Sequence, residues 1–242
     1  DFCLSRGLGD VYKRQRLRDA TGAALSGPVT ASNGIVSLSL SSGAAPTVDA
    51  PVAFTVIVQG AGYLTTSAKV SISSASGQAA DIQLVALTTD SSGNLTHTQP
   101  GVEGTVKVLG TVAGGQVATV MSLSSPDVED SSGNTVGGAG LSIPAGTTLR
   151  TATGAAAANG PVTASVVSFS SSSPTALQAF PGGFAVTVGG SGPGTGTGVF
   201  TSGGFAAFNL TDAQGNAIKS FDSPITATIA LSDTLILSLI HI

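Results

Sequence analysis

Apolar side chains recur at every second residue through much of this chain. Ile35-Val36-Ser37-Leu38-Ser39-Leu40, Val70-Ser71-Ile72-Ser73 and Ile225-Thr226-Ala227-Thr228-Ile229 all alternate in this way. Successive side chains of a strand point to opposite faces, so period two buries one face and wets the other, as in antiparallel sheets. Val52-Ala53-Phe54-Thr55-Val56-Ile57-Val58 is a more continuous apolar run and fits a central strand. No stretch carries a helical period with caps. The alanines 155–158 are too few and are hemmed in by Gly154 and Gly160.

Turn signals separate the strands. Asp90-Ser-Ser-Gly93-Asn94, Asp130-Ser-Ser-Gly133-Asn134 and Asp212-Ala-Gln-Gly215-Asn216 share the pattern D-x-x-G-N, and Asp19-Ala-Thr-Gly22 is a shorter version. Asp at the first position of a type I turn accepts backbone N–H groups ahead of it, and Gly then takes a left-handed conformation without a Cβ clash. Short strands punctuated in this way predict an all-β fold, with antiparallel β-sandwich modules in tandem.

The surface is unusual for a soluble chain. Charged residues are 9% of the total, against roughly 25% in typical domains, while apolar residues reach 41%. That combination is not the one of a disordered segment, which pairs low hydrophobicity with high net charge. Low charge with abundant Ser, Thr and Gly suits an extracellular or cell-surface bacterial protein. Arg6, Lys13, Arg14, Arg16 and Arg18 supply five of nine basic residues. Only Lys69, Lys107, Arg150 and Lys219 follow, against eleven acidic residues from Asp19 onward. An acidic body without a basic patch excludes nucleic acid and an anionic membrane surface as partners. No apolar run reaches the ~18 residues of a spanning helix, so membrane insertion is not expected.

Both ends differ from the body. DFCLSRGLGDVYKRQ at residues 1–15 and LSLIHI at residues 237–242 resemble translated sequencing-adapter sequence. Residues 1–15 and 236–242 are therefore read as artefact. Residues 1–15 are expected to make few contacts, and Cys3, Tyr12 and His241 carry no functional weight. With Cys3 as the sole cysteine, no intramolecular disulfide forms.

Two modules follow from the pattern, residues 16–88 and residues 89–235. LRDATGAALSGPVTAS (Leu17–Ser32) is echoed by LRTATGAAAANGPVTAS (Leu149–Ser165), which points either to related modules in series or to a shared strand–turn–strand element. The first module contains DATGAALSG, NGIVSLSL and VIVQGAGYLTTSAKVSI with its Gly62-Tyr63. On these it resembles carboxypeptidase-regulatory-like domains, Ig-like or transthyretin-like sandwiches that fold beside enzymes or receptors and do no chemistry themselves. The second contains GAGLSIPAGTTL (Gly138–Leu149) and resembles ZU5-like β-sandwiches of surface proteins. Residues 189–204, rich in Gly, Thr and Ser, read as a flexible loop or strand edge.

No catalytic set emerges. His97 is the one histidine of the body and reads as a solvated strand residue. Glu103 and Glu129 are the only glutamates, and the aspartates lie mostly in turns, so paired-carboxylate chemistry has little to use. Asp127, Glu129 and Asp130 cluster in SPDVEDSSGN and are the candidate calcium ligands. Calcium needs six to eight oxygens, however, and the spacing of a calcium loop is absent, so turn chemistry is the stronger reading and no cofactor is expected. Asn94-Leu-Thr96 and Asn209-Leu-Thr211 match the glycosylation pattern by chance in a bacterial chain. Phe180, Phe184, Phe200, Phe205, Phe208 and Phe221 are spaced for core packing more than for stacking on sugars. The expected function is that of non-catalytic structural or adhesive modules of an exported bacterial surface protein. Their partners would be neighbouring domains of the same chain and a protein or carbohydrate surface ligand. The alternative is an accessory binding module of a secreted hydrolase.

Overall fold

The computed structural model describes side chains for residues 46–74, 81–96, 98–130, 132–179 and 204–230. It describes backbone alone for residues 2–4, 14–19, 29–30, 36–38, 79–80, 185–188 and 196–199. The fold is all-β. In chain order the strands begin with β1 (Phe2–Leu4), β2 (Arg14–Asp19), β3 (Val29–Thr30), β4 (Val36–Leu38), β5 (Val52–Gln59), β6 (Thr66–Ile72) and β7 (Ala79–Ala80). Next come β8 (Val102–Ala113), β9 (Gln116–Val117), β10 (Met121–Ser124), β11 (Val128–Glu129), β12 (Thr135–Gly137), β13 (Ala139–Ile143), β14 (Leu149–Thr151) and β15 (Gly160–Phe169). After α1 (Pro174–Ala179) follow β16 (Ala185–Val188), β17 (Gly196–Val199), β18 (Phe205–Thr211), β19 (Ile218–Phe221) and β20 (Thr226–Ile229).

The chain divides into two compact units, Asp1–Ala86 with Gln178–Phe200, and Leu87–Leu177 with Thr201–Ile242. In the first unit, β5 lies between β2 and β6 in a sheet of order β3-β2-β5-β6. The apolar run 52–58 is thus a central strand, with Phe54, Val56 and Val58 buried on one face. A second sheet has order β4-β1-β7. Of residues 1–15 the backbone of residues 2–4 and 14–15 is described, and it lies on strands. Phe2 faces Leu38 and Cys3 faces Ala79 across β1, and Arg14 pairs with Gln59 across β2 and β5. Phe-Cys-Leu has strong strand propensity, and a strand lying between two others satisfies its backbone groups on both edges by pairing. Residues 196–199 of the glycine-rich stretch pair with β16.

The second unit holds a core cluster fed by two sheets. The sheet β18-β15-β8-β9 carries Val112, Val117, Val162, Ala164, Val166 and Leu210 into it. From the sheet β10-β13-β20 come Met121, Leu123, Leu141 and Ile143. Each aliphatic side chain buried this fully contributes about 1.5–3 kcal/mol. β20 differs from the alternation read in residues 225–229. Ile225 packs against the core, but all four residues of β20 are exposed, Ile229 by 43%. The strand is the edge of its sheet, bonded to β13 alone among the described residues.

The six-residue helix α1 was not anticipated. Ser173 caps it: its Oγ accepts from Ala176 N at 3.3 Å and donates to the Pro100 carbonyl at 2.7 Å. Pro174 then occupies the first helical position, where a missing N–H costs nothing. Among the described residues no helix is long and apolar enough to cross a membrane.

Candidate functional site

The three D-x-x-G-N segments fold almost atom for atom alike. In the first, Asp90 Oδ1 accepts from Ser92 N at 2.8 Å and Asn94 N at 3.0 Å. Gly93 N donates to the Asp90 carbonyl, and Asp90 N donates to the Asn94 carbonyl. The second repeats this with Asp130, Ser132, Gly133 and Asn134, and the third with Asp212, Gln214, Gly215 and Asn216. The three glycines have φ of +88°, +80° and +79°, the left-handed value that closes a type I turn followed by a bulge.

A fourth copy carries threonine in place of aspartate. In Thr151-Ala-Thr-Gly154-Ala155, Thr151 N donates to the Ala155 carbonyl at 2.9 Å and Gly154 N to the Thr151 carbonyl at 3.0 Å. Thr151 and Thr153 join their hydroxyls at 2.9 Å. One strand pairing brings this loop beside the third Asp loop, and a bridge closes each of the two turns. β14 pairs with β19, and Arg150 and Thr211 bridge to Ala156 and Ala217 just past their respective turns.

Between those two loops lies a shallow cleft of about 490 Å³. Its lining divides by chemistry. Methyl groups of Ala152, Ala155, Ala156, Ala158 and Ala217 supply the apolar part, and Thr151, Thr153, Asp212, Gln214 and Asn216 supply the polar part. Asp212 is only 5% exposed. Its Oδ1 accepts from Gln214 N and Asn216 N, and its Oδ2 from Ala158 N at 3.0 Å and Asn216 Nδ2 at 3.2 Å. Burial pushes its pKa up, but these donors, led by Ala158 N and Asn216 N, outweigh burial and hold the carboxyl below the usual aspartate range. Asp212 is the one titratable side chain among the described residues lining the cleft. It is ionised, saturated with donors and without a second acid or base beside it.

The calcium candidates do not converge here. Asp130 spends its carboxylate on Ser132 N, Asn134 N and Asn134 Nδ2. The Asn134 amide is the main cause of its lowered pKa. Glu129 and Asp127 are exposed, with Asp127 Oδ1 against Gly138. Among the described residues no three Asp, Glu, His or Cys side chains are grouped to hold an ion. His97, Tyr12 and His241 lie outside the described residues, as do Phe180, Phe184 and Phe200; of Cys3 only the backbone is described. Phe208 and Phe221 pack against the core of the second unit, as their spacing suggested. Among the described residues Glu103 alone has its pKa raised, by desolvation at the start of β8.

Sequence reasoning recognised the aspartate turns but not the cleft. The signal was present in the echo: the string TATGA at residues 151–155 aligns with DATGA at residues 19–23, so the turn pattern extends to a hydroxyl at its first position. Comparison with protein-family models, curated proteins and solved structures returned no match.

Proposed function

We propose that this chain is a non-catalytic structural or adhesive protein, made of β-sandwich modules in tandem and exported to a bacterial surface. The observation that carries the reading is the fate of the carboxylates. Asp90, Asp130, Asp212 and Asp222 each accept hydrogen bonds from backbone N–H groups of loops and turns. A catalytic acid–base pair needs two groups with pKa values driven apart near the working pH. The lowered values of Asp130, Asp212 and Asp222 take them away from it. Few charges and a Ser/Thr/Gly-rich body agree with an extracellular setting. The test is turnover by purified chain on ester, peptide and glycoside substrates, with and without calcium. None is expected, and turnover lost on His97→Ala or Asp212→Ala would overturn the proposal.

The cleft between residues 151–158 and 212–217 favours a second reading, an accessory binding module of a secreted hydrolase. The reading frame on either side decides between them: further sandwich repeats support the first and a hydrolase domain the second.

A further inference from the structure

We propose that the cleft between the 151–155 and 212–216 loops binds a neutral polyhydroxylated ligand, a mono- or disaccharide unit of a larger glycan. This rests on the binding-module reading above. The volume, about 490 Å³, falls in the range of small-molecule sites, roughly 300–1,000 Å³. Charge excludes much. Among the described residues no cation lines the cleft, and ionised Asp212 repels an anion. Both Asp212 oxygens already accept two hydrogen bonds each, so a cationic ligand gains little from them. Among the described residues no aromatic or long aliphatic side chain lines it to hold a flat or fatty ligand.

What remains is a set of small methyls beside planar amides and hydroxyls. A sugar ring presents the matching pair of surfaces, apolar C–H groups on a face and donor–acceptor hydroxyls at the edge. The amides are also fixed in place. Asn216 Nδ2 bonds Asp212 Oδ2 and, at 3.4 Å, Gln214 Oε1, which orients the Gln214 amide along the cleft wall. Thr151 and Thr153 lie hydroxyl to hydroxyl in the facing loop. Because the four backbone turns are nearly identical, what distinguishes this pair is that the strand pairing sets them side by side.

The experiment is an amide chemical-shift titration of the ¹⁵N-labelled full chain with cellobiose, N-acetylglucosamine and glucuronate. Saturable millimolar shifts confined to residues 151–158 and 212–217 are expected for one of the neutral sugars, with glucuronate weaker. Gln214→Ala and Thr153→Val each weaken binding by roughly three- to tenfold, the worth of one hydrogen bond, without moving the unfolding midpoint. Ala152→Phe, at an exposed position, fills the cleft and abolishes binding on a folded chain. No saturable shift with either neutral sugar, tighter binding of glucuronate, or affinity retained in Ala152→Phe would each overturn the proposal. Any of those results without turnover would leave the non-catalytic reading intact, whereas turnover would sink that reading whatever the shifts show.

Discussion

Asp212 and Asp130 occupy the same place in the same turn and differ in what lies behind them. Among the described residues Asp130 is bonded only within its own loop, whereas Asp212 also holds Ala158 N of a different segment, 54 residues away in the chain. Replacing Asp212 by Ala strands that amide and the turn donors, a loss of about 1–3 kcal/mol for buried donors left unpaired. Asp130→Ala should lose clearly less, because water can replace the carboxylate at an exposed loop. Urea unfolding of the two variants measures the difference, and equal losses would show that the cross-segment bond is worth nothing. The same residues set the acid response. Asp130, Asp212 and Asp222 have folded pKa values below their unfolded ones. Their contribution is therefore complete above roughly pH 4, and is lost as pH falls through the lower folded values. Asp212→Ala should flatten that acid limb. Glu103 has the opposite sign: its raised pKa makes ionisation at neutral pH a cost, so Glu103→Gln should raise the neutral-pH midpoint slightly and leave the acid midpoint unchanged. These turns were legible because Asp and Gly at fixed spacing report backbone geometry directly. The Ala158 bond was not, since no local pattern encodes which distant amide a carboxylate will meet.

Strands were legible where apolar residues coincided with a central position and one buried face, as in β5, and less so at edges. α1 shows the lower limit. Six residues are too few for a helical period to register, although Ser173-Pro174 is a recognisable cap and first-turn pair. β20 shows another limit, because Thr-Ala-Thr-Ile alternates like a half-buried strand yet sits exposed beside β13. The register there rests on a glycine. Gly140 faces Thr228, and a Cβ at residue 140 would lie 2.6 Å from Thr228 Oγ1. Gly140→Ala must therefore displace the Thr228 hydroxyl or the edge strand. The expected outcome is a lowered melting temperature for Gly140→Ala, largely restored in the double variant with Thr228→Ala, which removes the obstructing oxygen. A non-additive recovery of this kind is the signature of direct contact. Simple addition of the two single effects would mean that the strand, not the hydroxyl, takes up the strain. In the core of the same sheet no such adjustment exists: Ile143, fully buried, should lose about 2–5 kcal/mol on replacement by Ala.

At the scale of the whole molecule, one measurement decides whether residues 1–15 contribute to the fold. Composition marks these residues as foreign, since they hold the sole cysteine and three of the nine basic residues. The structure nevertheless places β1 between β4 and β7, antiparallel to one and parallel to the other. It also places Arg14 and Gln15 on the ladder that joins β2 to β3 and β5. A middle strand satisfies backbone groups on both its edges, so its removal exposes a row of donors and acceptors on each neighbour. If those pairings form, deleting residues 1–13 takes away the strand that β4 and β7 share and lowers the stability of the first unit. The second unit should be untouched, because its core is built from Leu109 onward. The expected result is thus an early loss of hydrogen-exchange protection in β5 and β6, with protection in β8, β13 and β15 unchanged. Identical protection throughout would show that residues 1–13 are carried by the fold without contributing to it, as the composition suggests.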